Sequence, residues 1–320
     1  MQPFQVPLRA QSMSSTRSAP ALLPGILVGL VAASIGALYT VFARYGIERG
    51  LQSSDLTFIR FATAGLLTAP FLAWHLRRDA AALLARWRSW LAIALLAGPL
   101  FGLLMFSAFA FAPASHAAVF PFSAMSVMGT LLAARVLGDR VTRRKAVGIG
   151  IVLTGLVVLS GLDASSFTAR ALVGDGLFIA AGTLWAGFGI VLRKNKLDPL
   201  LATSVISLFA LVLYVPLYLV ITGGARLLAA DTGLLAVQVL VQGVIAGVGT
   251  LYTYAKMVTL LGPARAAVFP ALAPGLAALM AWPVLGHVPS GPEAVGLGLA
   301  IFGLLASVTG TASHQPRRQP

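Results

Sequence analysis

Residues 116–121 read His-Ala-Ala-Val-Phe-Pro, and residues 265–270 read Arg-Ala-Ala-Val-Phe-Pro. The likeness continues downstream. Val136-Leu137-Gly138 returns as Val284-Leu285-Gly286, and Gly148, Gly150 and Gly155 return at the same offset as Gly296, Gly298 and Gly303. A fainter match sets Ala32-Ala33 against Ala180-Ala181. The chain is therefore one unit written twice.

What lies around these matches decides what the unit is made of. Of the 320 residues 58% are hydrophobic and 10% charged, with mean hydropathy +0.90. A soluble domain is about 25% charged, and one or two ordinary cores could not hide this much apolar surface. A bilayer can. A helix needs about 20 apolar residues to cross it, and ten such runs are found, at 24–42, 56–76, 90–111, 117–136, 146–162, 171–192, 200–221, 234–257, 266–285 and 294–311. They are continuous, whereas barrel strands are short and alternate in character. In lipid every backbone polar group must be bonded internally, which leaves the helix. Arg9 and Arg17 ahead of the first run resemble a signal peptide, but the run is longer than a signal core and lacks a convincing cleavage site, so it is taken as a retained helix.

The expected fold is an all-α polytopic membrane protein with ten transmembrane helices, five per unit. The expected divisions are a disordered polar tail (1–20), a first repeat (21–162), an outer linker (163–170), a second repeat (171–312) and a second tail (313–320).

The charges set the direction. With both chain ends cytoplasmic, the cytoplasmic segments hold Arg9 and Arg17; Arg77, Arg78, Arg86 and Arg88; Arg135, Arg140, Arg143, Arg144 and Lys145; Arg193, Lys194 and Lys196; Lys256 and Arg265; Arg317 and Arg318. These are 18 of the 23 basic residues, as the positive-inside bias requires. The formal charge of +14 thus marks topology rather than nucleic-acid binding. With an odd number of crossings per unit, the second copy enters from the opposite face. Inverted repeats of this kind are typical of secondary transporters, with the site near the midplane between them.

The motifs His-Ala-Ala-Val-Phe-Pro-Phe-Ser-Ala-Met and Val-Leu-Gly-Asp-Arg-Val-Thr, then Gly-Ile-Gly-Ile-Val-Leu-Thr-Gly-Leu, stand in the first half. Arg-Ala-Ala-Val-Phe-Pro-Ala-Leu-Ala-Pro and Val-Leu-Gly-His, then Gly-Leu-Gly-Leu-Ala-Ile-Phe-Gly-Leu-Leu, stand in the second. In order and spacing, over about 21–312, they resemble the EamA-type branch of the drug/metabolite transporter superfamily. Arg60, in Leu-Thr-Phe-Ile-Arg-Phe, resembles an arginine of that family's second helix. The resemblance implies alternating-access movement of amino acids, related organic acids or drugs across a bacterial inner membrane, with export ahead of import. Where the family carries Leu-Gly-Glu, this chain has Asp139 and His287.

Candidate cavity residues follow from position and chemistry. Pro121 and Pro270 interrupt equivalent helices and should bend them, with Phe120 and Phe269 just before. Tyr39 and Trp185 lie too deep for an interfacial belt, at nearly equivalent repeat positions. Thr40, Ser107, Ser123 and Tyr252 could orient a solute, and Lys256 could meet its charge or snorkel to the interface. Arg60 is expected to snorkel or to pair with Asp55. No acid falls in mid-span, so a cavity with basic groups favours a carboxylate or other anion. His116, whose side-chain type titrates near neutrality, is the candidate for proton coupling, against the plainer role of a helix-end residue at the outer surface. The paired glycines should allow close helix contact, internally or in a homodimer.

Other classes fare poorly. Cys is absent, which removes disulfides and thiolate metal sites. The four histidines and nine acids are dispersed and phosphate-cradling loops are missing, so an enzyme, an ATP-driven pump or a bound cofactor is not expected. A non-transporting scaffold would have no need of two-sided symmetry.

Overall fold

The structure, a computed structural model, describes residues 22–162, 164–285 and 290–309. The two tails, Asp163 of the linker, and the Gly286-His287 end of the second Val-Leu-Gly motif lie outside the described residues. All regular structure described is helical. The first repeat comprises α1 (Leu22–Glu48), α2 (Ser53–Ala85), α3 (Trp87–Ala97), α4 (Pro99–Ala108), α5 (Ala114–Leu137) and α6 (Arg143–Ser160). The second comprises α7 (Ala169–Lys194), α8 (Pro199–Thr222), α9 (Ala225–Ala229), α10 (Thr232–Gln238), α11 (Gly249–Leu261), α12 (Pro263–Ala266), α13 (Ala273–Leu285) and α14 (Gly291–Thr309).

Among the described residues nine helical stretches are long and apolar enough to cross a membrane. The remaining expected run, the fifth, falls on α6. It is 18 residues long and opens with Arg143, Arg144 and Lys145, so its apolar stretch is shorter than the others. Three stretches are jointed. Gly98 is extended (φ −88, ψ −150) between α3 and α4, with Pro99 opening the second piece. The eighth expected run passes from α10 through a π-helical Val239–Val248 into α11. The ninth breaks into α12, a 3-10 turn at Phe269–Leu272, and α13.

The two prolines of the repeated motif therefore act differently. Helix α5 runs unbroken through Pro121. Pro270 sits in the first turn of the 3-10 segment, where a missing N–H leaves no bond unmade. Gly138 explains the Gly of Val-Leu-Gly: it caps α5 in the left-handed conformation (φ 71) and its N–H reaches the Ala133 carbonyl. Ser290 and Glu293 form the reciprocal cap of α14, Ser290 N–H donating to Glu293 Oε2 at 2.6 Å and Glu293 N–H to Ser290 Oγ at 3.4 Å.

Equivalent helices of the two repeats pack on one another, and they run antiparallel. A Cβ on Gly148 would stand 2.8 Å from the Gly303 carbonyl oxygen, and one on Gly155 would stand 2.7 Å from that of Gly296. Numbers rise along α6 as they fall along α14. Gly150 and Gly298, by contrast, meet nothing within 4 Å. Helices α2 and α8 show the same order. Tyr214 OH donates to the Ser54 carbonyl at 3.1 Å, while eleven residues further along α2 Gly65 lies against Ser207 and Leu211.

Candidate functional site

A cavity with about 470 Å³ of empty space, its open mouth included, lies between the repeats. Helix α1 supplies Ala32, Ala33, Gly36 and Tyr39; α2 supplies Arg60; α4 supplies Phe101; α5 supplies Phe122 and Met125; α7 supplies Trp185. Helix α11 and the broken ninth stretch add Thr250, Tyr254, Met257, Phe269, Pro270 and Ala273. The small residues of α1 leave the room and the aromatic residues shape it. Trp185 lies 4.8 Å, centroid to centroid, from both Phe101 and Tyr254. Phe269 is fixed by contact with Gly29, where a Cβ would collide with its ring.

Arg60 is the one charged residue on this wall. It is buried, 3% exposed, and its guanidinium stands 5.2 Å from the centre of the Tyr39 ring. The expected partner is not there. Asp55 instead accepts from Tyr218 OH at 2.6 Å, from Arg226 Nε at 2.9 Å and from the Gln52 N–H at 2.8 Å. The Asp55 bond holds Arg226, on the short α9 that follows α8, above its ordinary pKa. Neither does Arg60 snorkel. Asp55 and Arg60 are five positions apart on α2, about 140° around a helix, and so look in different directions. Among the described residues no ion pair forms to Arg60.

Two polar residues join it. Thr250 and Tyr254 stand on the same wall, and their hydroxyls are buried with no hydrogen-bond partner among the described residues; that of Tyr254 lies toward Gly189 of α7, where a Cβ would stand 2.8 Å from it. The segment bearing Thr250 is pressed onto α2 where the helix is π-wound. Gly247 lies 2.9 Å, by its absent Cβ, from the Arg60 carbonyl oxygen, and Gly243 similarly abuts Thr63. Gln238 and Gln242 tie the same segment to α1, donating to the Phe42 and Tyr39 carbonyls at 2.7 and 2.8 Å. Among the described residues no three His, Asp or Glu side chains gather as metal ligands.

Of the sequence candidates, Tyr39, Trp185, Phe269 and Pro270 stand on the wall. Pro121 and Phe120 lie off it; the Phe120 ring faces His116 at 5.4 Å. Thr40 donates to the Gly36 carbonyl of its own helix. Ser107 meets Ser53 at 3.2 Å. Ser123 and Lys256 are half-buried away from the cavity, and Tyr252 is exposed on the outside of the bundle. Arg60, expected to snorkel or to pair with Asp55, is a wall residue instead, and Thr250 and Tyr254 join it there.

His116 is fully buried rather than exposed at a helix end. Its Nδ1 lies 2.8 Å from Asp175 Oδ1 on α7, and its Nε2 lies 2.7 Å from Ser166 Oγ. The cluster sits above the cavity, where the two repeats are joined.

Residues 23–161 and 172–309 each match the model of the EamA-like transporter family. A crystal structure of a protein 21% identical superposes with a TM-score of 0.67, covering 89% of this chain and 96% of that chain. At that identity the likeness concerns the fold. No curated protein matched the chain.

Proposed function

Because the chain belongs to the EamA-like transporter family, and so is a membrane transporter of the drug/metabolite superfamily, we propose that its central cavity carries small carboxylates with an apolar or aromatic body. Amino acids and related organic acids are the class. The observation that carries this reading is Arg60, a buried cation on the cavity wall without an acid beside it. A solute carboxylate supplies the missing charge. The rings of Trp185, Tyr254, Phe101 and Phe269 receive the apolar body, and the unpaired hydroxyl of Thr250 takes a further polar group.

Alternating access is the proposed mechanism. Its support is the antiparallel pairing of α6 with α14 and of α2 with α8, as two inverted repeats require. Ten crossings follow if α6 spans beside α14. At about 1.5 Å per residue its 18 residues reach 27 Å, close to the hydrocarbon thickness of about 30 Å. With ten crossings 18 of the 23 basic residues fall on one side, which supports both chain ends being cytoplasmic. A bacterial cytoplasmic membrane is the proposed location. Export is the proposed direction, on the family resemblance; import would use the same geometry under reversed gradients.

The test is counterflow in proteoliposomes with L-phenylalanine, phenylpyruvate and benzoate, beside phenethylamine as a control that lacks the carboxyl group and bears only an ammonium. Exchange of the three acids is the expected result. Exchange of the amine alone would overturn the charge argument.

A further inference from the structure

Below the outer connection of the two repeats, three side chains from three segments form one chain of hydrogen bonds. Helix α5 of the first repeat gives His116, α7 of the second gives Asp175, and the 3-10 turn Ala164–Ser166 between the repeats gives Ser166. His116 has no exposed surface and Asp175 is 4% exposed. The second carboxylate oxygen, Asp175 Oδ2, is buried with no partner among the described residues. Ser166 is half-buried. The Phe167 ring closes over the imidazole at 4.7 Å, and the Phe120 ring lies 5.4 Å from it.

We propose that His116 and Asp175 form the binding site for a coupling proton, whose presence decides whether the outer seam between the repeats can part. The inference rests on the transport reading above. A carboxylate can only accept here, so Nδ1 keeps its hydrogen and donates to Asp175. With that single proton, Nε2 accepts from the Ser166 hydroxyl. A second proton, arriving from the outer water by way of Ser166, bonds to Nε2. The hydroxyl then turns to accept, and the imidazole becomes an imidazolium facing a carboxylate. No bond other than N–H forms, and the proton leaves by the reverse step. Both ring nitrogens now donate charge-assisted bonds, one to Asp175 of the second repeat and one to Ser166 of the turn between the repeats. Parting α5 from α7 in the loaded form would separate two opposite charges in a low-dielectric setting, and parting them unloaded would not.

The other charged groups around the pair do not compensate it. Arg170, on the first turn of α7, turns away to donate to the Ala110 carbonyl at 2.8 Å. The outer ends of α4 and α6 carry no charged residue. Asp163 lies outside the described residues. The order serine–histidine–aspartate is that of a hydrolase triad, but a substrate carbonyl cannot approach a histidine without exposed surface. The seam leads toward the cavity: Pro121, whose carbonyl is touched by Gly182 of α7, precedes the wall residues Phe122 and Met125 on α5.

The test separates net proton-coupled movement from exchange. Proteoliposomes carrying wild type, His116→Gln, Asp175→Asn and Ser166→Ala are assayed with L-phenylalanine and phenylpyruvate for counterflow, and for accumulation driven by a pH gradient. Luminal pH is followed with a trapped indicator. His116→Gln keeps a donor for Asp175 but cannot take the second proton. Wild type is expected to accumulate solute several-fold under the gradient and to move protons with it. His116→Gln and Asp175→Asn are expected to keep counterflow within about twofold and lose accumulation and proton movement together. Ser166→Ala should keep accumulation and shift its pH profile, because the route and not the site is changed; it also covers the case in which the buried variants fail to fold. Gradient-driven accumulation by His116→Gln equal to wild type, an unshifted Ser166→Ala profile, or wild-type transport without proton movement would overturn the proton site and leave the carrier reading standing. Absence of counterflow in wild type would overturn the carrier reading itself.

Discussion

Replacing Arg60 by Gln should abolish the preference for carboxylates and leave the empty protein as stable as before, or more so. Two unit charges about 4 Å apart attract by about 4 kcal/mol at an effective dielectric of about 20. Stripping water from the carboxylate offsets part of this, which leaves about 1.5–3 kcal/mol, the usual range for a hydrogen bond to a charged group. Affinity for an acid should therefore fall about 10- to 150-fold. Stability moves the other way. A cation buried without a carboxylate carries a desolvation cost of several kcal/mol, and the Tyr39 ring 5.2 Å away offsets about 1–2 kcal/mol of it. Arg60→Gln removes both. The assay compares competition of counterflow by L-phenylalanine and by its amide, with melting of the purified protein measured alongside. Wild type should favour the acid, Arg60→Gln should favour neither, and the melting temperature should hold or rise. A variant that still prefers the acid, or one that melts much lower with transport lost, would show that Arg60 is structural.

Three further outcomes follow from the packing. Gly155→Val drives side-chain atoms into the α14 backbone, where even a Cβ would stand 2.7 Å from the Gly296 carbonyl oxygen; it should cost about 1–3 kcal/mol, read as a lower melting temperature. Gly150→Ala, on the open side of the same helix, should be neutral or stabilising by up to about 1 kcal/mol, and equal losses at both glycines would refute the internal seam. Asp55→Asn weakens bonds to Tyr218, Arg226 and Gln52 together and should cost about 1.5–3 kcal/mol. Tyr218→Phe, which removes one of them, should cost about 1 kcal/mol, and the reverse order by thermal melting would count against the cluster. Tyr254→Phe deletes a buried hydroxyl with no partner among the described residues. Because that hydroxyl lies toward Gly189, the melting temperature should hold or rise and affinity for acids, measured by titrating tryptophan fluorescence, should be unchanged; a clear loss of affinity would put the hydroxyl in the cavity instead.

The scaffold was legible because it is written in properties that local sequence carries. Run length, a basic bias between runs and a duplicated motif depend on no tertiary contact, and so does the glycine spacing that α6 and α14 use to meet. The wall was legible only where depth in a span was the argument, as at Tyr39 and Trp185, or where the repeat pointed, as at Phe269 and Pro270. Reasoning from the repeat alone placed Phe120 and Pro121 beside them. The structure keeps α5 unbroken there and turns Phe120 to His116, because equivalent positions in two repeats need not face the same neighbour. Arg60 carried a usable signal that was passed over. Its separation from Asp55 on one helix already argues against the pair. Nothing local says that Asp55 would be met by Tyr218 and Arg226, more than 160 residues on, or that Asp175 would find His116; those are products of the antiparallel docking.

The chemistry accordingly sits where the repeats differ. At the offset that carries Gly148 onto Gly296, Arg60 falls on Leu208 and Trp185 on Ala37, and the repeated motif itself opens with His116 in one copy and Arg265 in the other. A cavity lined twice by arginine would hold two like charges with one carboxylate between them, and a solute could satisfy one only by leaving the other bare. With a single Arg60, one solute carboxylate meets one wall charge, and for an acid without an amine the proposed loaded cavity is close to neutral. On the proposed alternating-access mechanism, two-fold backbone symmetry would make the outward and inward arrangements similar in energy, so a difference of about 1.4 kcal/mol between them would shift the populations tenfold. Departures from symmetry such as Arg60 and the His116–Asp175 pair are then large enough, taken one at a time, to set which face the empty and the loaded protein prefer.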